Sequence, residues 1–117
     1  MEIRKAQEGD FQGIYPLLCE LENEELPMEE ALNTYRHNLS DDNVSYLVAQ
    51  EKEKIVAFGS MHIQKLLHHC GNAAELQEMI IADSCSGMGI GGSFIAEFRN
   101  IALQKGCKVF EVCCNRK

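Results

Sequence analysis

The chain has 117 residues, of which 45% are hydrophobic and 25% charged, and a formal net charge of −7. That length fits one small domain spanning 1–117 with a single core, and the composition excludes a disordered chain. The acidic balance argues against broad binding to nucleic-acid phosphates. No apolar run approaches a bilayer span and the opening MEIRKAQEGD has no secretory h-region, so a cytoplasmic protein without a membrane partner is expected.

Taken in order, Ile3–Ala6 reads as a first strand. Gly9-Asp10 then starts a helix, with Asp10 placed as its N-cap. Phe11, Ile14, Leu18 and Leu21 recur at amphipathic spacings, and Pro16 within them should kink the helix or delay its start. Leu26-Pro27 breaks the pattern before a second helix from Glu29 to Asn38, which carries Leu32, Tyr35 and Arg36. Val44–Gln50 and Ile55–Ile63 flank a charged turn and read as an antiparallel hairpin. A loop over His68–Asn72 leads to a third extended run, Ala74–Ala82.

A glycine-rich loop comes next, then a helix from Ile90 to Lys105 with Phe94, Phe98, Ile101 and Ala102 on one stripe and Gly106 as its C′ residue. The last strand is Lys108–Cys114. A right-handed crossover makes it parallel to Ala74–Ala82. The expected fold is α/β (α+β): a mixed, mostly antiparallel sheet with a parallel last pair and helices on both faces.

Two other groupings bear on function. The stretch CELENEELPMEE concentrates Glu20, Glu22, Glu24, Glu25, Glu29 and Glu30. Such a run is ordinarily a solvated face, and otherwise an acidic rim for a cationic substrate. The six cysteines form no CxxC pair, so neither a zinc knuckle nor a disulfide framework is expected. His68-His69-Cys70 lacks a second ligand pair at suitable spacing, so no metal site is expected.

The loop SCSGMGIGGS, Ser84 to Ser93, holds four of the nine glycines within six residues. A strand–glycine loop–helix unit presents unpaired amides and the positive end of a helix dipole, which together bind phosphates. The P-loop pattern fails because Ser93 stands where its lysine belongs. Gly87, Gly89 and Gly92 match GxGxxG, with Glu111 about 20 residues on, but the loop lies too far from its strand and comes after a hairpin. A nucleotide-binding protein is therefore the third-placed reading.

The element order and the loop together resemble the GNAT superfamily of N-acetyltransferases. That family's loop reads Arg/Gln-x-x-Gly-x-Gly/Ala, and Ser86-Gly87-Met88-Gly89-Ile90-Gly91 is similar to it, with Ile81 at the strand end. The resemblance covers nearly the whole chain. It implies acetyl-CoA as cosubstrate, with the main chain of Met79, Ile80 and Ile81 pairing with the pantetheine arm. The amides from Gly87 to Gly92, Gly92 included, would cradle the pyrophosphate, with glycines 87, 89 and 91 allowing close approach. It further implies a catalytic base at Glu75, six residues before Ile81, or at Glu78, which strand alternation places on the opposite face. Asn115 fits a position near the cofactor.

Two departures are visible. Ser86 replaces the usual Arg or Gln, and no basic residue occurs from Asp83 to Glu97, so backbone amides and the helix dipole alone would meet the pyrophosphate. The family also continues into a further helix, which often carries a general-acid Tyr, and two more strands, so the expectation is a C-terminally truncated domain. An open last edge then favours a homodimer. The expected activity is acetyl transfer to a primary amine of a small molecule or peptide. The alternative is a non-catalytic acyl-CoA-binding module.

Overall fold

The computed structural model describes residues 1–116, with side chains described through residue 113. Five strands form one sheet in the order β1-β2-β3-β4-β5: β1 Glu2–Lys5, β2 Val44–Glu51, β3 Lys54–Leu66, β4 Gly71–Ile81 and β5 Val109–Arg116. The first three pairings are antiparallel and β4–β5 is parallel. Three helices complete the fold: α1 Phe11–Glu22, α2 Met28–Leu39 and α3 Ile90–Gln104.

Strand alternation divides the core between the two sheet faces. Leu47, Ala49, Met61, Leu76 and Met79 pack with Phe94, Phe98, Ile101 and Ala102 of α3. Val48, Phe58 and Ile80 pack with Phe11, Ile14, Leu17 and Tyr35 of α1 and α2. Helix α3 reaches the sheet closely at Gly59, where a Cβ would lie 2.9 Å from Phe98 and 3.1 Å from Phe94. Helices therefore cover both faces, as the hydrophobic pattern implied. Among the described residues, no helix is long and apolar enough to cross a membrane.

Three local expectations are revised. The β3–β4 hairpin is longer than its apolar runs, because Gln64, Lys65 and Leu66 pair with Ala73, Asn72 and Gly71. The intervening turn shrinks to a single 3-10 turn, Leu67–His69, closed by Cys70 at φ 56°. Pro16 lies within α1, which already starts at Phe11, so the proline does not delay the helix.

Asp10 does not cap α1 through its side chain. Its carboxylate accepts from both terminal guanidinium nitrogens of Arg4, Nη1 and Nη2, at 2.7 and 2.9 Å, and from the Gln7 amide at 2.7 Å. A bidentate charged pair outweighs a single cap bond. Gly106, at φ 74°, ends α3 as expected, with Cys107 N–H donating to Ala102 C=O.

Candidate active site

The site is built on β4 and on the glycine loop that joins it to α3. Glu78 pairs with Ser60 of β3 and Leu76 with Met61, so Gln77 is an inserted residue without a partner. A bulge of this kind breaks the two-residue alternation. Ala74, Leu76 and Met79 all face α3, so Glu75 and Glu78 share the other face of the sheet, where Glu78 meets α1 and α2. This corrects the expectation that the two carboxylates point apart.

Their surroundings differ. Glu78 accepts from Ser60 Oγ at 2.6 Å and lines a cleft of about 300 Å³ with Phe11, Tyr35, Tyr46, Phe58 and Glu30. Tyr46, Ser60 and Glu78 occupy one row across β2, β3 and β4. Burial pushes the Tyr46 phenol above its usual pKa, a hydrogen bond from Asn38 opposes this, and the Glu78 charge adds to the rise. Tyr46 was missed in the sequence. Its signal was the register that a polar-aromatic strand residue takes beside a carboxylate, which a single strand does not reveal.

Glu75 accepts from Gln64 Nε2 at 2.9 Å and stands opposite Glu111 on β5. Glu75, Glu111 and Cys113 each bring a ligand atom within 4.8 Å of the others, and His69 Nε2 lies 3.8 Å from Glu111. Glu111 and Cys113 are exposed, and surface groups of this kind are common without an ion.

The end of β4 has a partly open edge. Ala82 N–H donates to Val56 C=O at 2.8 Å, which makes Phe58–Ile80 the next hydrogen-bonded pair. The main-chain groups of Ile80 are therefore directed to β3, and those of Met79 and Ile81 point away from it. Strand β5 runs beside β4 as far as Met79, and among the described residues nothing pairs with Ile81 on that side. Asn115 stands opposite Glu78, and its side chain lies outside the described residues.

Beyond β4, a 3-10 turn Asp83–Cys85 leads to Ser86, which is exposed. Gly87 and Gly89 take φ values of 83° and 80°, and Gly89 is the N-cap of α3. Glycine takes this backbone without the strain that a Cβ brings. Among the described residues, no backbone acceptor pairs with the amides of Gly87, Gly89, Ile90, Gly91 or Gly92. Ile90 is buried beneath them, whereas Met88 is exposed. A Cβ on Gly91 would meet Met79 Sδ and Ile81 Cδ1 at 3.5 and 3.6 Å, so its free side faces β4. The expected close approach to a ligand at Gly91 therefore does not rest on its missing side chain. The nest of amides is an anion-binding geometry with no basic side chain in the loop.

The acidic stretch divides between separate surfaces. Glu22 and Glu30 line the Glu78 cleft. Glu24 and Glu25 line a shallow hollow beside Tyr15 and Cys19. A larger hollow of about 580 Å³, on the outer side of α1 and α2, contains no residue of β4 or of the glycine loop.

Comparison with known proteins agrees with this fold. The acetyltransferase (GNAT) family model matches residues 11–117. The chain is 33% identical over 116 residues to the aminoalkylphosphonate N-acetyltransferase of Salmonella typhimurium, covering 99% of this chain and 75% of that one. An aminoglycoside antibiotic 6'-N-acetyltransferase from Acinetobacter haemolyticus superposes with a TM-score of 0.84 at 16% identity, over 96% of this chain and 78% of that one. A transcriptional regulator from Bacillus halodurans gives 0.84 at 22% identity, over 95% and 79%. At these identities the two structures show the shared fold alone.

Proposed function

The chain belongs to the acetyltransferase (GNAT) family and is an acetyl-transferring enzyme, and from that premise we propose that it moves the acetyl group of acetyl-CoA to a primary amine. The observation that carries this reading is the continuity of one segment. The Glu78 carboxylate, the outward main chain of Met79 and Ile81, and the free amides of the glycine loop succeed one another along β4 and into α3. Acetyl-CoA supplies the thioester. The loop amides and the α3 dipole hold its pyrophosphate. Ile81 extends the sheet to the pantetheine arm as an added strand would, with Met79 offering the same orientation beside β5 and Ile80 supplying its side chain to the core.

Glu78 takes the proton released as the amine becomes nucleophilic. The nitrogen attacks the carbonyl carbon, the C–N bond forms, the C–S bond breaks, and the leaving thiolate takes up a proton to give coenzyme A. Glu75 shares the face but sits three residues nearer the β3–β4 turn, bonded to Gln64. It is the second candidate for the base.

Calorimetry with acetyl-CoA, coenzyme A and NAD, together with thiol-release assays over an amine panel, tests the reading. Acetyl-CoA should bind and be consumed only with an amine. Binding of NAD alone would overturn it, and acetyl-CoA binding without turnover of any amine would favour a non-catalytic acyl-CoA module.

A further inference from the structure

The cleft under Glu78 carries a charge pattern that bears on what enters it. Its described lining includes three carboxylates, Glu22, Glu30 and Glu78, and no Lys, Arg or His. Two arginines of the same layer are committed elsewhere. Arg4 is held by Asp10, and Arg36 by Glu8 on the outer side of the helix pair. Neither Glu22 nor Glu30 has a basic partner among the described residues.

The walls between these carboxylates are aromatic. Phe11 and Tyr35 lie 5.4 Å apart between ring centres, Tyr35 stacks on Tyr46 at 5.4 Å with planes 9° apart, and Tyr46 meets Phe58 at 5.1 Å. The rings face one another, and with Leu18, Leu26 and Ala31 they make an apolar wall that receives a methylene chain. The cleft's volume, about 300 Å³, suits a small molecule. An acceptor bearing a phosphonate or carboxylate would bring its anion among three carboxylates, with no cation among the described lining residues to meet it.

We propose that the acceptor is a diamine or polyamine without an anionic group. Its reacting nitrogen sits at Glu78, its methylene chain lies against Tyr35, Tyr46 and Phe58, and its second ammonium is held by Glu22 and Glu30. The inference rests on the N-acetyltransferase reading above and names the substrate class of that same cleft. The transfer itself is unchanged: the acetyl group leaves the thioester sulfur for one nitrogen, and the second nitrogen stays protonated.

Thiol release should be measured with acetyl-CoA and three acceptors of similar length: 1,4-diaminobutane, butylamine and 2-aminoethylphosphonate. The diamine should exceed butylamine in kcat/KM by on the order of tenfold at low salt, since rim carboxylates act through screened charge. The phosphonate should be the poorest of the three. The double variant Glu22→Gln, Glu30→Gln should shrink the diamine-to-butylamine ratio toward one, and calorimetry should show the diamine binding the wild-type protein more tightly than butylamine.

A phosphonate turned over as well as the diamine, or a ratio unmoved by the double variant, overturns the inference and leaves the acetyltransferase reading intact. If no acceptor is turned over, equal calorimetric binding of the three overturns it. Absence of acetyl-CoA binding overturns the underlying reading and the inference with it.

Discussion

Ser60, fully buried on β3, donates its hydroxyl hydrogen to Glu78 Oε1 at 2.6 Å across the β3–β4 pair. Apart from the Tyr35 phenol, which donates to Gln7 C=O, it is the one hydroxyl side chain among the buried residues described. A lone buried hydroxyl is stable only when bonded, and here its bond fixes a carboxylate at the floor of the cleft. Glu78→Gln should therefore lower kcat by about 100-fold or more, the usual range for losing a general base. Ser60→Ala should lower kcat several-fold while the KM for acetyl-CoA changes little, at a cost of about 1 kcal/mol in stability. Steady-state kinetics with urea denaturation separates the two effects. Full activity in Glu78→Gln, with loss in Glu75→Gln, would move the base to Glu75.

The glycines of the loop are not equivalent. Gly89 sits at φ 80°, and a side chain there costs about 1–2 kcal/mol in backbone strain. Gly91 has no such constraint, and a methyl group would make ordinary contacts at 3.5 and 3.6 Å. Gly89→Ala is expected to weaken acetyl-CoA binding about tenfold by displacing the amides, and Gly91→Ala to leave it within about twofold. Calorimetry on both variants checks this.

Ser86 is exposed at the start of the loop, where the family pattern has Arg or Gln. Ser86→Arg places a guanidinium beside the pyrophosphate site and should tighten acetyl-CoA binding about threefold to tenfold at low ionic strength. The gain should fade by about 0.5 M salt. An unchanged dissociation constant would mean that the pyrophosphate does not lie against this residue.

The Arg4–Asp10 pair ties β1 to the start of α1, with both side chains largely buried. The Arg4 hydrogen bonds hold the Asp10 carboxyl below its ordinary pKa. A depressed carboxyl contributes stability above its unfolded value, near 3.8, and loses it as pH falls through the folded value. Asp10→Asn should cost about 1.5–3 kcal/mol at pH 7, and the difference from wild type should narrow below about pH 4. Thermal unfolding of both proteins across pH 2.5–7 (roughly the window of carboxyl titration) tests this.

At the alkaline end the sign reverses. Burial raises the Tyr35 and Tyr46 phenols above their usual value of 10.0. Above about pH 10 the unfolded chain releases these protons while the folded one keeps them, so stability falls as pH rises. Tyr15 is raised as well, chiefly through its hydrogen bond with Cys19, so ultraviolet titration should show three phenols that ionise late, and Tyr46→Phe should remove one of them.

Much of this was legible in the sequence because it is local. Helical spacing in Phe94, Phe98, Ile101 and Ala102, a glycine at the end of α3, and glycines where φ must be positive are each set by a few neighbouring residues. The family resemblance and the parallel last pair came from the order of these elements. Pro16 was harder, because a helix that is packed on Val48, Phe58 and Ile80 tolerates a proline that propensity alone would reject.

Tertiary structure decided the site. Gln77 is inserted only because β4 pairs with β3 in a particular register, and that insertion brings Glu75 and Glu78 to one face. The same is true of the acidic stretch: packing of α1 and α2 directs Glu22 and Glu30 to the cleft and Glu24 and Glu25 away from it. Asp10 turned from a helix cap to Arg4 because a strand delivered a stronger partner. Backbone periodicity and glycine conformation are properties of a segment, and the sequence by itself determined them. The direction of a carboxylate depends on which distant strand or helix lies beside it, and only folding supplies that neighbour.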